Sequence, residues 1–590
     1  MTYRAPLADI GAALKYAAGL PAAIDDGLFG DLTMGDVDAV LAEAGRFAAE
    51  VIAPLNRVGD TFGTPFKDGA VTTAPGWKEA YKGWCDGGWN GLAAPAEWGG
   101  QALPQTLSMA CQEMWNSASM GFAVGPLLTI AAVDALYAHG SETLKQTYLK
   151  KLVSGEWTGS MQLTEPQAGS DVGALRTRAE RAGDGTYRLK GQKIFITYGE
   201  HDLTDNIIHF VLARLPDALP GTRGISLFLV PKFLLNANGS LGDRNDIRAH
   251  SVEHKLGIHG SPTCTMMLGD HDGAIGYLIG EENAGMACMF TMMNRARLAV
   301  GLQGVGIAEC ATQQALAYAR ERKQGRTPGM KATESAPIVA HPDVRRMLLS
   351  MRALTGAARA ICYATAIALD RSERTKDDAA RKAAYERASL LTPIAKAFSS
   401  DIGIEVASLG VQVHGGMGFI EETGAAQLYR DARIAAIYEG TNGIHGIDLV
   451  TRKLPLSGGT AVAAHIKELR GIVEAVEASN DPAFGWTAVR LGEAVESLAR
   501  ATAWILGRGP TEVDAALAGA TPYLRLYGLA TGGCLLANEA LAALRTDDEP
   551  PARTALARFF AENFAVQVGA LERTVVEGAP GLLGGDAALA

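Results

Sequence analysis

An α+β fold in four parts is what this 590-residue sequence predicts. The parts are an N-terminal helical domain over 1–158, a middle β-domain over 159–282, a C-terminal helical bundle over 283–455 and an additional helical domain over 456–590. Three observations predict it. Ala-rich segments with helical spacing flank a central stretch whose period drops to two. Pro and Gly turns bound the short apolar runs of that stretch. A Pro/Ser/Gly-rich linker near position 455 precedes a fresh amphipathic pattern.

The first helical region includes Asp36 to Ala53, stopped by Pro54, whose ring cannot continue a helix. A loop at Gly87 to Gly100 interrupts it. In the central stretch Tyr187 and Leu189 alternate with Arg188 and Lys190, and apolar runs follow at Ile207 to Ala213 and Ile225 to Val230. Helical spacing returns near Asn283, with helices expected over Leu298 to Arg322, Met347 to Leu369 and Ala380 to Leu409. Past Leu454-Pro455-Leu456-Ser457-Gly458-Gly459-Thr460, the residues Val462, Ile466, Leu469, Ile472, Val473 and Val476 recur at three- and four-residue steps.

Length and composition narrow the function classes. The chain is too long for one core, and three or four domains are expected. A net charge of −10 opposes a phosphate-backbone binder, which needs a basic face. Seven scattered cysteines without CxxC spacing read as reduced thiols of a cytoplasmic protein, with neither a disulfide scaffold nor a zinc site. The N-terminus carries Pro6 and Asp9 and lacks an uninterrupted apolar stretch, so secretion is not expected. No run of about twenty apolar residues is read, so no transmembrane span is expected.

Three segments carry chemistry. Ile437-Tyr438-Glu439-Gly440-Thr441-Asn442 places one acid on a tight turn, beside a glycine and a helix-capping Thr/Asn pair. His414-Gly415-Gly416-Met417-Gly418, 23 residues earlier, lets main chain approach a bulky anion. Leu163-Thr164-Glu165-Pro166-Gln167-Ala168-Gly169-Ser170-Asp171 is a third turn far upstream.

With Lys190-Gly191-Gln192-Lys193-Ile194-Phe195-Ile196-Thr197, Arg320-Glu321-Arg322-Lys323-Gln324-Gly325-Arg326 and Tyr429-Arg430-Asp431-Ala432-Arg433-Ile434, these segments resemble the acyl-CoA dehydrogenase family. They stand in family order over residues 40–455. The resemblance implies that fold, with FAD as cofactor and α,β-dehydrogenation of an acyl-CoA thioester as the reaction. It also implies an electron-transferring flavoprotein as acceptor and a homodimer, because the cofactor site is split between subunits.

By the same resemblance Met161, Leu163, Thr164, Phe195, Ile196 and Thr197 line the flavin ring, and Ser170 contacts the pyrophosphate or the pantetheine arm. Many relatives carry Trp where Phe195 stands, so stacking survives but the indole donor does not. Arg322, Gln324, Gln412, Gly415 and Gly416 match positions holding the adenine-diphosphate half, and Thr441 and Asn442 are carried over as further FAD contacts. An aromatic usual between Gln324 and Gly325 is missing. Asn294 and Arg297 match substrate-arm positions, with a structural salt bridge as the rival role for Arg297.

Glu439 is the implied base. Its backbone N–H and a ribityl hydroxyl of FAD would polarise the thioester carbonyl. A variant placing the base at the position of Ala296 is excluded, since alanine accepts no proton. Chain length and the Glu421-Glu422-Thr423-Gly424-Ala425-Ala426 stretch resemble a bacterial branch that acts on 3-methylmercaptopropionyl-CoA, a thioether acyl-CoA of dimethylsulfoniopropionate breakdown. A general short- to medium-chain acyl-CoA dehydrogenase is the alternative, and an acyl-CoA oxidase shares the base and flavin. A nucleic-acid-binding flavoprotein is opposed by the C-terminal region, which has ten Lys/Arg against sixteen Asp/Glu, a net of −6 over 461–590.

Overall fold

Pro54 acts as its ring chemistry demands. In the computed structural model Met34–Phe47 is α-helical, Ala48–Ile52 continues as a π turn, and a new helix starts at Leu55–Phe62. The structure describes residues 3–331, 333–509 and 511–590. Residues divide into two units, one of Met1–Arg46, Gln105–Ser117 and Arg297–Ala590, the other of Phe47–Pro104 and Ala118–Ala296.

The second unit holds the sheet. The alternation read from 187 onward becomes the strand Tyr187–Thr197, and the apolar runs become Ile207–Arg214 and Ile225–Pro231. From one edge the order is Ile247–Val252, Thr263–Leu268, Tyr187–Thr197, Ala274–Ile279, Ile225–Pro231, Ile207–Arg214 and Thr158–Gln162. Neighbours are antiparallel except the last pair, which is parallel with Met161 opposite Phe210. Side-chain alternation splits Ile207–Arg214 between two cores. Ile208, Phe210 and Leu212 join Met161, Leu136 and Met292, whereas Val211 and Ala213 join Ile196, Phe228 and Cys264.

The first unit is helical. Helices Pro342–Arg374 and Asp378–His414 pack against each other and against Ala520–Thr546 of the C-terminal region. The linker is followed by Thr460–Ser479, which buries Val462, Ile466, Leu469 and Val476 but leaves Ile472 and Val473 half-buried. Helix Gly285–Glu321 contributes residues to both units; its later part meets Asp378–His414 at glycines. A Cβ on Gly304 would stand 2.2 Å from the Ser399 carbonyl oxygen, and one on Gly403 would meet Gly304 Cα at 2.8 Å. Only hydrogen side chains permit this approach, which brings Gln303 and Lys396 to the turn described below.

Among the described residues, Gln105–His139 is long and apolar enough to cross a membrane by length and composition alone. Gln112, Glu113, Asn116 and Ser117 interrupt its apolar residues, which therefore form no unbroken run. The segment leaves helical geometry at Ser119, and 89% of its most apolar window is buried in the protein, as in a core helix.

Buried Asp370 caps this helix. One carboxylate oxygen accepts from the Gln105 N–H at 2.8 Å, the other from the Thr106 N–H at 2.8 Å and its hydroxyl at 2.6 Å. Asp370→Ala strands three buried donors, so a loss of about 2–3 kcal/mol is expected, read as a lowered urea midpoint at unchanged slope.

Candidate active site

Two consecutive left-handed residues make the turn that carries Glu439. Its φ is +55° and that of Gly440 is +87°. Such a backbone costs a non-glycine residue on the order of 1 kcal/mol or more and persists only when its surroundings hold it. The restraints come from three sides, all within the helical unit. Lys396, fully buried on Asp378–His414, donates to the Gly440 carbonyl at 2.7 Å and to Asn442 Oδ1 at 2.8 Å. The Glu439 carbonyl accepts from His445 at 3.1 Å, which requires the proton on Nε2. The Tyr438 hydroxyl donates to buried Gln303. Thr441 then caps helix Asn442–Asp448 by accepting from the Ile444 N–H at 3.4 Å.

The electrostatics suit a base. Burial pushes the Glu439 carboxyl above its ordinary value, and Arg297 and then Lys396 hold it back. Burial likewise draws the Lys396 ammonium down to about 7, against the pull of Glu439 and Asp401. His445 is pushed down to about 3 by burial and by the nearby cations, so it stays neutral. Arg297 is buried, and the charges of Asp448 and then Glu439 act on its guanidinium against the burial that draws it down. The side chain of Asn294 lies outside the described residues.

The Asn442 side chain is engaged within the turn. Its Oδ1 accepts from Lys396 and Ser400, and its Nδ2 donates to the Ala397 carbonyl, Ser400 and Asp401. An amide has two lone pairs and two protons, so this side chain is spent on holding the turn.

The glycine-rich segment follows helix Asp378–His414. Gly415 has φ +60°, and a Cβ on either Gly415 or Gly416 would meet nothing within 4 Å. Gln412 is exposed beside them. On a separate loop the Arg322 guanidinium donates to Gln324 Oε1 at 3.3 Å, while His341 bonds the Gln324 carbonyl at 2.7 Å.

In the sheet unit, the segments 161–171 and 190–197 come together. Ile194 N–H donates to the Thr164 carbonyl at 2.9 Å. Phe195 takes φ +60° and is 59% exposed, a bulky ring held out by a strained backbone, while Ile196 turns into the core. Thr197 and Leu163 are half-buried, and Ser170 lies exposed on its turn. Glu165 and Lys193, to which the sequence motifs assign no role, fasten this arrangement. Lys193 donates to Glu165 at 2.8 Å and to the Leu163 carbonyl at 3.0 Å, with both side chains buried. Glu165 also accepts from the N–H groups of Arg176 at 2.6 Å and Thr177 at 3.0 Å.

Comparison with known proteins bears on this geometry. Three family models match in order: acyl-CoA dehydrogenase N-terminal domain at 36–156, middle domain at 160–271 and C-terminal domain at 283–454. The chain belongs to the acyl-CoA dehydrogenase family. It is an FAD-dependent oxidoreductase of that class. A fourth model, acetyl-CoA dehydrogenase C-terminal like, matches 465–584.

Among acyl-CoA dehydrogenases of known activity, the chain is 46% identical over 589 residues to 3-methylmercaptopropionyl-CoA dehydrogenase of Ruegeria pomeroyi, covering 99% of each. It is 38% identical to a butyryl-CoA dehydrogenase of Syntrophomonas wolfei, over 76% of this chain and 74% of that one. An acyl-CoA dehydrogenase of Bacillus anthracis, solved with FAD, shares the fold with a TM-score of 0.76 at 21% identity, covering 93% of this chain and 89% of that one.

The residues present fit a flavin dinucleotide. Gly415 and Gly416 leave exposed main chain with open space before it, the access an anion-binding main chain needs. The outward Phe195 ring offers a face for stacking where an ordinary strand aromatic would be buried.

Proposed function

We propose that this dehydrogenase oxidises 3-methylmercaptopropionyl-CoA to its trans-2-enoyl thioester, with Glu439 as the base that removes the C2 proton. The observation that carries the assignment of the base is the restrained left-handed turn, which holds one carboxyl among two buried cations. Bound FAD would supply the acceptor for the hydride leaving C3. Met161, Leu163, Thr164, Phe195, Ile196 and Thr197 would hold its ring, and Ser170 its pyrophosphate or the pantetheine arm. Arg322, Gln324, Gln412, Gly415 and Gly416 would hold the adenine-diphosphate half, the last two through main chain. Thr441 would contribute through its hydroxyl proton or backbone, and Asn442 through backbone, its side chain being engaged in the turn.

Glu439 accepts the proton as an ionised carboxylate, and its backbone N–H would donate to the thioester oxygen where negative charge grows. Activity at limiting substrate therefore falls as pH drops through the raised value of Glu439. Arg297 keeps the acid ionised before substrate excludes water, and with Asn294 it would meet the substrate arm.

Support for the thioether substrate is the identity to the Ruegeria protein across the whole length, extension included. The butyryl-CoA dehydrogenase relative supports a second reading, a general short-chain enzyme. Anaerobic flavin reduction with a matched panel separates them. The 3-methylmercapto substrate is expected to outpace butyryl- and hexanoyl-CoA by tenfold or more in kcat/KM, about 1.4 kcal/mol. Equal values across the panel would leave the general enzyme. Electrons are proposed to pass to an electron-transferring flavoprotein, in a cytoplasmic homodimer. Exposed Met417, Phe419 and Ile420 beside the glycine cradle support a subunit contact there.

A further inference from the structure

We infer that Lys396 is a positioning residue for the reaction: it clamps the turn that carries Glu439 and supplies a positive charge that keeps that carboxylate ionised until substrate arrives. This rests on the assignment of Glu439 as base. Lys396 sits in Ile394-Ala395-Lys396-Ala397-Phe398, four of whose members are fully buried core residues. Placing an ammonium there costs several kcal/mol unless it is paired and hydrogen-bonded. It donates to Gly440 and Asn442, the two residues that fix the left-handed geometry one and three positions past Glu439. Neither acceptor is a carboxylate, so the charge is left to act on the acids around it. Of these Glu439 exerts the largest pull on Lys396 and Asp401 the next.

Other groups face the acid. Helix Gly285–Glu321 contributes Arg297, whose charge is drawn first to Asp448 and only then to Glu439. Asp448 in turn pairs with Arg452 at 2.5 Å. Helix Asp378–His414 contributes Asp401, bonded to Asn442 and facing Arg525 and Arg433. The turn and its following helix contribute Tyr438, His445 and Lys453, of which His445 is held neutral. Arg297 is the stronger cation toward Glu439, and Lys396 joins its charge to a clamp on the turn.

The test uses full-length, FAD-loaded protein with Lys396→Gln, Lys396→Met and Lys396→Arg. Removing a nearby positive charge disfavours the carboxylate, so its pKa rises. The acidic limb of kcat/KM is then expected to move to higher pH by on the order of one unit in the Gln and Met variants. Lys396→Arg should leave it in place. A second readout is the Glu439 carboxyl titration by difference infrared against Glu439→Gln, expected to shift with the kinetic limb. A limb that stays put in folded Gln and Met variants overturns the proposal. So does failure of all three variants to fold with FAD, which would assign Lys396 to fold stability alone. If instead Glu439→Gln itself keeps full activity, the base assignment has failed rather than the role of Lys396.

Discussion

Glu439→Gln is expected to retain FAD and to lose bleaching of the flavin by acyl-CoA, with the reductive rate falling by about 10⁴-fold or more. The substitution is nearly isosteric, and the bonds that hold the turn go to backbone atoms and to Asn442 rather than to the Glu439 side chain. The fold and the flavin should therefore survive while the proton acceptor is gone. A C2–H bond is so weakly acidic that water does not replace a positioned carboxylate. Stopped-flow absorbance under anaerobic conditions gives the rate, and the flavin spectrum of the purified protein gives cofactor content. Loss of FAD together with activity would point to a structural role for Glu439 instead.

Lys193→Met carries the second large effect, of opposite kind: cofactor and stability fall together. Lys193 is 0% and Glu165 3% exposed in side-chain terms, so their pair is fully withdrawn from water. Breaking such a pair leaves a buried carboxylate uncompensated, at about 3–5 kcal/mol. It also releases the Leu163 carbonyl and the turn that joins Thr164 to Ile194. FAD occupancy should drop, and the urea midpoint with it.

The pH dependence has a definite sign. Burial pushes Glu165 up, but Lys193, Thr177 and the Arg176 N–H outweigh it and hold the carboxyl at about 2. A depressed carboxylate contributes stability above its unfolded value and loses it as pH falls through the folded one. In the wild type that loss is confined between the ordinary carboxylate range and about pH 2. In Lys193→Met it should begin at higher pH.

Most of the architecture was legible because it rests on periodicity. Apolar spacing located the helices around Leu298, Met347 and Ala380; Gly285–Glu321 starts well before its expected first residue, and Pro342–Arg374 and Asp378–His414 run past both expected ends. Tertiary burial extends such helices beyond what propensity alone would support. The alternation at Tyr187 and Leu189 gave the strand, but not the register shift opposite Cys264 and Met266 that accompanies the outward Phe195. Nor did spacing reveal that Asn442 is consumed internally, because hydrogen-bond saturation depends on residues about forty positions away. Lys396 left one trace, a lone lysine in an apolar helical run. Its meaning needed the fold, since only the packing of Gly304 on Gly403 shows how close the two helices lie.

Exchange of the C2 hydrogen with solvent tests the central claim most directly. With the flavin kept reduced, hydride cannot leave C3, so deuterium entering C2 of the acyl-CoA in D2O reports the base alone. Wild-type protein is predicted to exchange the C2 hydrogen, and Glu439→Gln with equal flavin content to exchange it at least about a hundredfold more slowly. Exchange at the wild-type rate in that variant would contradict the account.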